Sequence, residues 1–158
     1  MSTYTDFLAS KLNECIFQRD VHQRQLEFVV DTFAEQVTLR SNNELHGNHI
    51  VICGKPYTVV DIRYCKADTE EDHYNFATFE VMLVANDFTG CGLDSEEARI
   101  CSAALRRQIT DGEADELIDI YDKYKNVVVI FPKTVPVDEL PTLNFSMSEL
   151  NDYFEQEP

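Results

Sequence analysis

The stretch from His49 to Ala85 constrains this chain most. It reads HIVIC-GKP-YTVVDIRYC-KADTEED-HYNFATFEVMLVA. Three runs rich in Val, Ile, Tyr and Phe are separated by two turn-like segments. Such residues fit a pleated, half-buried surface, and Gly, Pro and acidic clusters punctuate it. Gly54-Lys55-Pro56 has the chemistry of a short connection, and Lys66 to Asp72 that of a longer solvated loop. The reading is a three-stranded antiparallel meander. In the third run Ala77, Phe79, Val81 and Leu83 alternate with Thr78, Glu80, Met82 and Val84. The first set is expected to face a core shared with Val60, Ile62, Val128 and Ile130. Asp61, Arg63 and Glu80 are expected to form a charge cluster on the exposed face.

Helical periodicity flanks the meander on both sides. Phe7, Leu8, Leu12, Cys15 and Ile16 form one apolar stripe, and Leu26, Val29, Val30, Phe33 and Val37 a second. Asp20 to Gln23 has the spacing of a capping box, so two helices are expected, over about 4–18 and 21–39 and ending at Ser41-Asn42-Asn43, with one continuous helix as the alternative. Asn86 to Gly92 reads as a loop. Asp94 to Glu97 and Thr110 to Glu113 are further capping boxes. They open helices carrying Ala98, Cys101, Leu105 and Ile109, then Ala114, Leu117, Ile118 and Tyr121. Val127 to Phe131 is a short apolar run stopped by Pro132, read as a buried strand that joins the meander. An extended connection with Pro136 and Pro141 follows. Ser146 to Glu149 then opens a terminal helix with Leu150, Tyr153 and Phe154 on one face. The fold class is α+β: a three- to four-stranded antiparallel sheet, with the meander over 49–85 and a strand at 127–131, flanked by N-terminal and C-terminal helices. One domain over 1–158 is expected at this length.

Charge bounds the partners. The chain holds 29 acids and 13 bases, a net charge of −16. Of these, 16 acids and 6 bases follow residue 86. Such a surface repels nucleic acid and anionic lipid, and attracts basic proteins and cations. No run approaches the ~20 apolar residues of a membrane span, and MSTYTDFLASK lacks the pattern of a signal peptide. Cysteines 15, 53, 65, 91 and 101 are odd in number, with no C-x-x-C pair. They read as reduced thiols in a cytoplasmic protein that folds without metal or disulfide.

Few residues suggest chemistry. His46, His49 and Cys53 have zinc-like donors at H-x2-H-x3-C spacing, with His49 and Cys53 on one face of a strand but no evident fourth ligand. Asp68, Glu70, Glu71, Asp72 and His73 crowd one loop without the spacing of a calcium loop. Cys91 sits between two glycines, where a passive loop residue is the expectation. Arg106-Arg107 could anchor an anion, but pairing with Glu97, Glu113 or the acids one turn away is the expectation. No nucleophile elbow, phosphate-binding loop or dinucleotide fingerprint is present, so no catalytic residue, metal or cofactor is assigned.

The resulting expectation is a non-enzymatic protein whose acidic surface binds a basic partner. Its sharp form is a nucleic-acid mimic, with helical carboxylates replacing phosphates in the groove of a host nucleic-acid or defence enzyme. Phages and mobile elements encode inhibitors of that kind, and the localisation would then be the host cytoplasm. The candidate contacts are Glu96, Glu97, Asp115, Glu116, Asp119 and Asp122. Two other readings stand beside it. One is a structural adaptor of a viral particle or other assembly, which self-associates through an apolar patch. The other is a small enzyme with an unrecognised site.

Overall fold

Helix α1 spans Thr3–Phe17 and α2 spans Gln23–Leu45. They are followed by strands β1 (His49–Ile52), β2 (Lys55–Cys65) and β3 (Phe76–Ala85). Helices α3 (Ser95–Arg106) and α4 (Asp111–Lys123), strand β4 (Val128–Pro136), a 3-10 helix (Val137–Thr142) and helix α5 (Met147–Glu155) complete the order. This computed structural model describes residues 3–17, 23–66 and 75–155, with the side chains of 15–17 and 23–24 excepted. The capping box at Asp20, the acidic loop from Asp68 to His73 and the side chain of Cys15 lie outside the described residues. The strands form one sheet in the order β1-β2-β3-β4. The fold is α+β, with a curled antiparallel sheet and helices before and after it.

The first hairpin differs from its expected form. Its turn is Cys53-Gly54, and Lys55 and Pro56 already belong to β2, paired with Ile52 and Val51. Cys53 has φ 53° and Gly54 φ 79°. Two successive positive φ values define a type I′ turn, whose twist matches that of the flanking strands. Cys53 is therefore exposed at the turn rather than on a strand face with His49.

Helix α2 runs through Ser41-Asn42-Asn43 to Leu45 instead of stopping there. Ser41 is buried. The Asn42 side chain donates to Ile62 O at 2.9 Å and accepts from Ile62 N at 3.0 Å. A distant backbone partner thus overrides the weak helix propensity of these residues.

Strand β4 passes through Pro132 to Pro136, and the expected extended connection is a 3-10 helix. β4 is an edge strand, where a missing backbone N–H breaks no ladder. Val129 and Ile130 are accordingly only half-buried.

The chain divides into two compact units. One holds Met1–Arg40, Arg63–Phe79 and Pro132–Asn144; the other holds Ser41–Ile62, Glu80–Phe131 and Phe145–Pro158. In the first, α1 packs on the 3-10 helix, and Arg40 donates a guanidinium N–H to Leu143 O. Tyr64 donates its hydroxyl to Asp31 at 3.2 Å, and its ring lies tilted by 45° at 5.7 Å from that of Phe79. Burial first, then the Asp31 charge, pushes the Tyr64 hydroxyl well above its ordinary value.

In the second unit, Val60, Met82, Val84 and Val128 pack with Ile100, Cys101 and Ala104 of α3 and with Ala114, Leu117 and Ile120 of α4. The expected core face of β3 is thus only half the answer. Phe79, Val81 and Leu83 are buried, but Met82 and Val84 are equally buried on the opposite face. The cluster that holds Val60 and Val128 takes Met82 and Val84, with Ile130 packed against it. Asp61, Arg63 and Glu80 are half-buried rather than exposed. Burial first, then Glu97, pushes the Cys101 thiol up to about 11. Helix α5 packs against β1. Its Tyr153 meets Phe131 edge-on at 4.7 Å, and Leu150 and Phe154 are buried.

Candidate protein-binding face

Both helices of the acidic half begin as their sequences require. Asp94 accepts from Glu97 N at 2.8 Å, and Glu97 accepts from Asp94 N at 3.0 Å. Thr110 and Glu113 exchange the same two bonds at 3.2 and 3.0 Å. Each reciprocal box satisfies two orphan backbone donors and sets where the next turns point. Arg107 then forks onto Glu113, at 2.9 Å to Oε1 and 2.7 Å to Oε2. That pair, aided by Thr110 N–H, holds the Glu113 carboxyl down at about 2. It ties the end of α3 to the start of α4.

Between α3 and α4 lies an open cleft of about 200 Å³. Asp94, Glu96, Glu97, Glu116, Asp119 and Lys123 line it over Ile100 and Ile120. Four of the six expected contact residues are therefore brought together: Glu96, Glu97, Glu116 and Asp119. Asp115 and Asp122 are exposed on the adjacent stripe of α4 and do not line the cleft. The difference follows from helical spacing. Positions 116, 119 and 123 share the side turned to α3, and 115 and 122 lie next to it.

The carboxylates are also unequal. Arg99 binds Glu96 through both sides of its guanidinium, with Nε to Oε2 at 3.0 Å. The Arg99 bond holds the Glu96 carboxyl below its ordinary value. Glu97 caps α3 and lies 3.4 Å from Lys123 Nζ. The i to i+3 spacing of Glu96 and Arg99 could have been read from the sequence. The Glu97–Lys123 link joins two helices and could not.

The zinc-like trio does not converge. His49 Nδ1 lies 2.9 Å from Thr58 Oγ1, and Cys53 is at the hairpin turn. Among the described residues, no group of three His, Cys, Asp or Glu is placed to hold a metal ion. No described helix is long and apolar enough to cross a membrane. Cys91 is half-buried, and its N–H donates to Phe88 O at 3.2 Å.

A second concave surface was missed in the sequence. Phe7, Leu8 and Lys11 of α1 and Gln25, Phe28 and Val29 of α2 line an apolar groove of about 330 Å³. Phe7 belongs to the stripe expected to be buried, yet it is 56% exposed, and Phe28 is 63% exposed. The periodic pattern marks a helix but does not say which edge of the stripe is covered.

No family model, curated protein or solved structure matches this chain.

Proposed function

We infer that this chain is a non-enzymatic interaction protein whose α3–α4 face binds a basic protein surface. The observation that carries this reading is the cleft itself, where five carboxylates stand against one lysine. It lies in a chain whose net charge is −16. A partner's Lys and Arg side chains would meet Glu116 and Asp119 first, because Glu96 and Glu97 already hold cations of their own. Carboxylates on rigid helices mimic phosphates well, so a nucleic-acid-binding enzyme is the partner class that fits best, with this chain as its inhibitor. Phage or mobile-element origin would suit such an inhibitor and forms part of the proposal.

The test is a binding titration at low and high salt against the basic protein recovered from the source cells. Binding should weaken steeply as salt rises, since exposed charge pairs are screened beyond about 8 Å at physiological ionic strength. Salt-independent binding favours the adaptor reading, which the exposed aromatics of the α1–α2 groove support. Leu150 and Phe154 of the terminal helix are buried within their own unit and supply no such patch.

A further inference from the structure

We propose that a hollow beside the first hairpin is a binding site for a small aromatic carboxylate. The hollow measures about 280 Å³ and lies wholly within the second unit, where the hairpin turn, the end of α4, β4 and α5 meet. Val129, Ile130 and Phe154 supply its apolar lining, and Tyr121 and Tyr153 its other rings. Cys53 and Lys125 complete it and are exposed, so they mark its mouth. Sites for drug-sized ligands run from roughly 300 to 1,000 Å³, so this one suits a single ring with one substituent. The ring is favoured by what already stands there. Tyr153 meets Phe131 edge-on at 4.7 Å and Phe154 edge-on at 5.0 Å. A ligand ring set against Tyr153 and Phe154 extends that edge-to-face packing, which an aliphatic body of equal area cannot do.

Charge selects the other end of the ligand. The chain carries 29 acids and 13 bases, yet no carboxylate lines this hollow and its one charged residue is Lys125. Lys125 Nζ stands 4.2 Å from the centroid of the Tyr121 ring. That contact orients the ammonium without neutralising it, as a carboxylate would. Among the described residues Lys123 reaches Glu97 and Lys66 reaches Glu27, but no carboxylate pairs with Lys125. One ammonium matches one negative charge. A phosphate dianion would find no second cation and no guanidinium fork in the lining. The site is also distinct from the acidic cleft. At 3.6 residues per turn, Tyr121 leaves α4 on the side away from Glu116, Asp119 and Lys123. The two sides of one helix thus carry opposite signs.

The experiment is a titration of the full chain, followed by amide chemical shifts, with benzoate as the probe. Benzyl alcohol serves as the neutral comparator and cyclohexanecarboxylate as the non-aromatic one. Saturable shifts with millimolar benzoate, confined to the hairpin turn, Lys125, β4 and α5, are expected. Both comparators should bind more weakly. Lys125→Met keeps an apolar stem and removes the charge, and it lies at an exposed position where the fold does not depend on it. It should weaken benzoate about fivefold or more and leave benzyl alcohol unchanged, whereas Lys125→Arg should retain benzoate binding. Bound benzoate should also slow alkylation of Cys53 in the parent chain and not in Lys125→Met. Absent or scattered shifts overturn the proposal. So does a Lys125→Met variant that binds benzoate like the parent, or a comparator that binds as tightly as benzoate.

Discussion

Asn42 and Ile62 are joined by two hydrogen bonds of 2.9 and 3.0 Å between a side-chain amide and a strand backbone. The last turns of α2 are thereby pinned to β2. Asn42→Ala should cost about 1–3 kcal/mol, because Ile62 is buried and both of its backbone groups lose a partner. Asn42→Asp should cost more, since a carboxylate then faces the Ile62 carbonyl. Urea denaturation, with unchanged slope and lowered midpoint, checks both.

Helix starts were legible in the sequence because a capping box is complete within four residues. Asp94 with Glu97 and Thr110 with Glu113 behave as that local chemistry requires. The end of α2 was not legible, because the partner of Asn42 is 20 residues away. The two-sided burial of β3 was equally hidden. Alternation in FATFEVML suggests one wet face, but helices α3 and α4 cover Met82 and Val84. For the candidate site, acidity and helix spacing singled out the two helices whose carboxylates line the cleft. Which carboxylates are already engaged depends on contacts such as Glu97–Lys123, which only the tertiary structure brings about.

The Arg107–Glu113 pair should give stability a defined acid limb. The Glu113 carboxyl sits at about 2 in the folded chain against an ordinary 4.5. A depressed carboxyl contributes stability that is complete above its unfolded value and is lost as pH falls through its folded one. The contribution should therefore fade between about pH 4.5 and pH 2. Glu113→Gln should flatten that part of the stability profile and leave the slope above pH 5 unchanged. Chemical denaturation across this range is the measurement.

Lys123 lines the acidic cleft against five carboxylates, so removing it should help a basic partner. Lys123→Ala is expected to tighten binding by a few-fold, mostly through association rate. Reversing Asp115, Glu116 and Asp119 together to lysine should weaken binding by far more than any one of those changes. Stopped-flow association at two salt concentrations distinguishes these effects. A triple variant that binds like the parent would remove the α3–α4 face from consideration.

Thiol reactivity should follow exposure. Cys53 stands exposed at a turn, whereas Cys101 is buried with its thiol raised to about 11. In the folded protein a thiol-specific reagent should modify Cys53 well before Cys101, which should react only on unfolding. Cys53→Asn should remove the fast phase. It should also stabilise the hairpin by about 0.5–1 kcal/mol, because asparagine tolerates the positive φ of a type I′ turn better. Mass mapping of a timed modification, with a thermal melt of the variant, tests both.

The prolines of β4 have a consequence for how this chain behaves when concentrated. An outer strand with a continuous row of free amide groups is a template on which further strands can stack into fibrils. β4 carries Pro132 and Pro136 within nine residues, so that row is interrupted twice. Whatever assembly this protein enters is therefore turned away from polymerisation along that margin and toward contacts made by side chains.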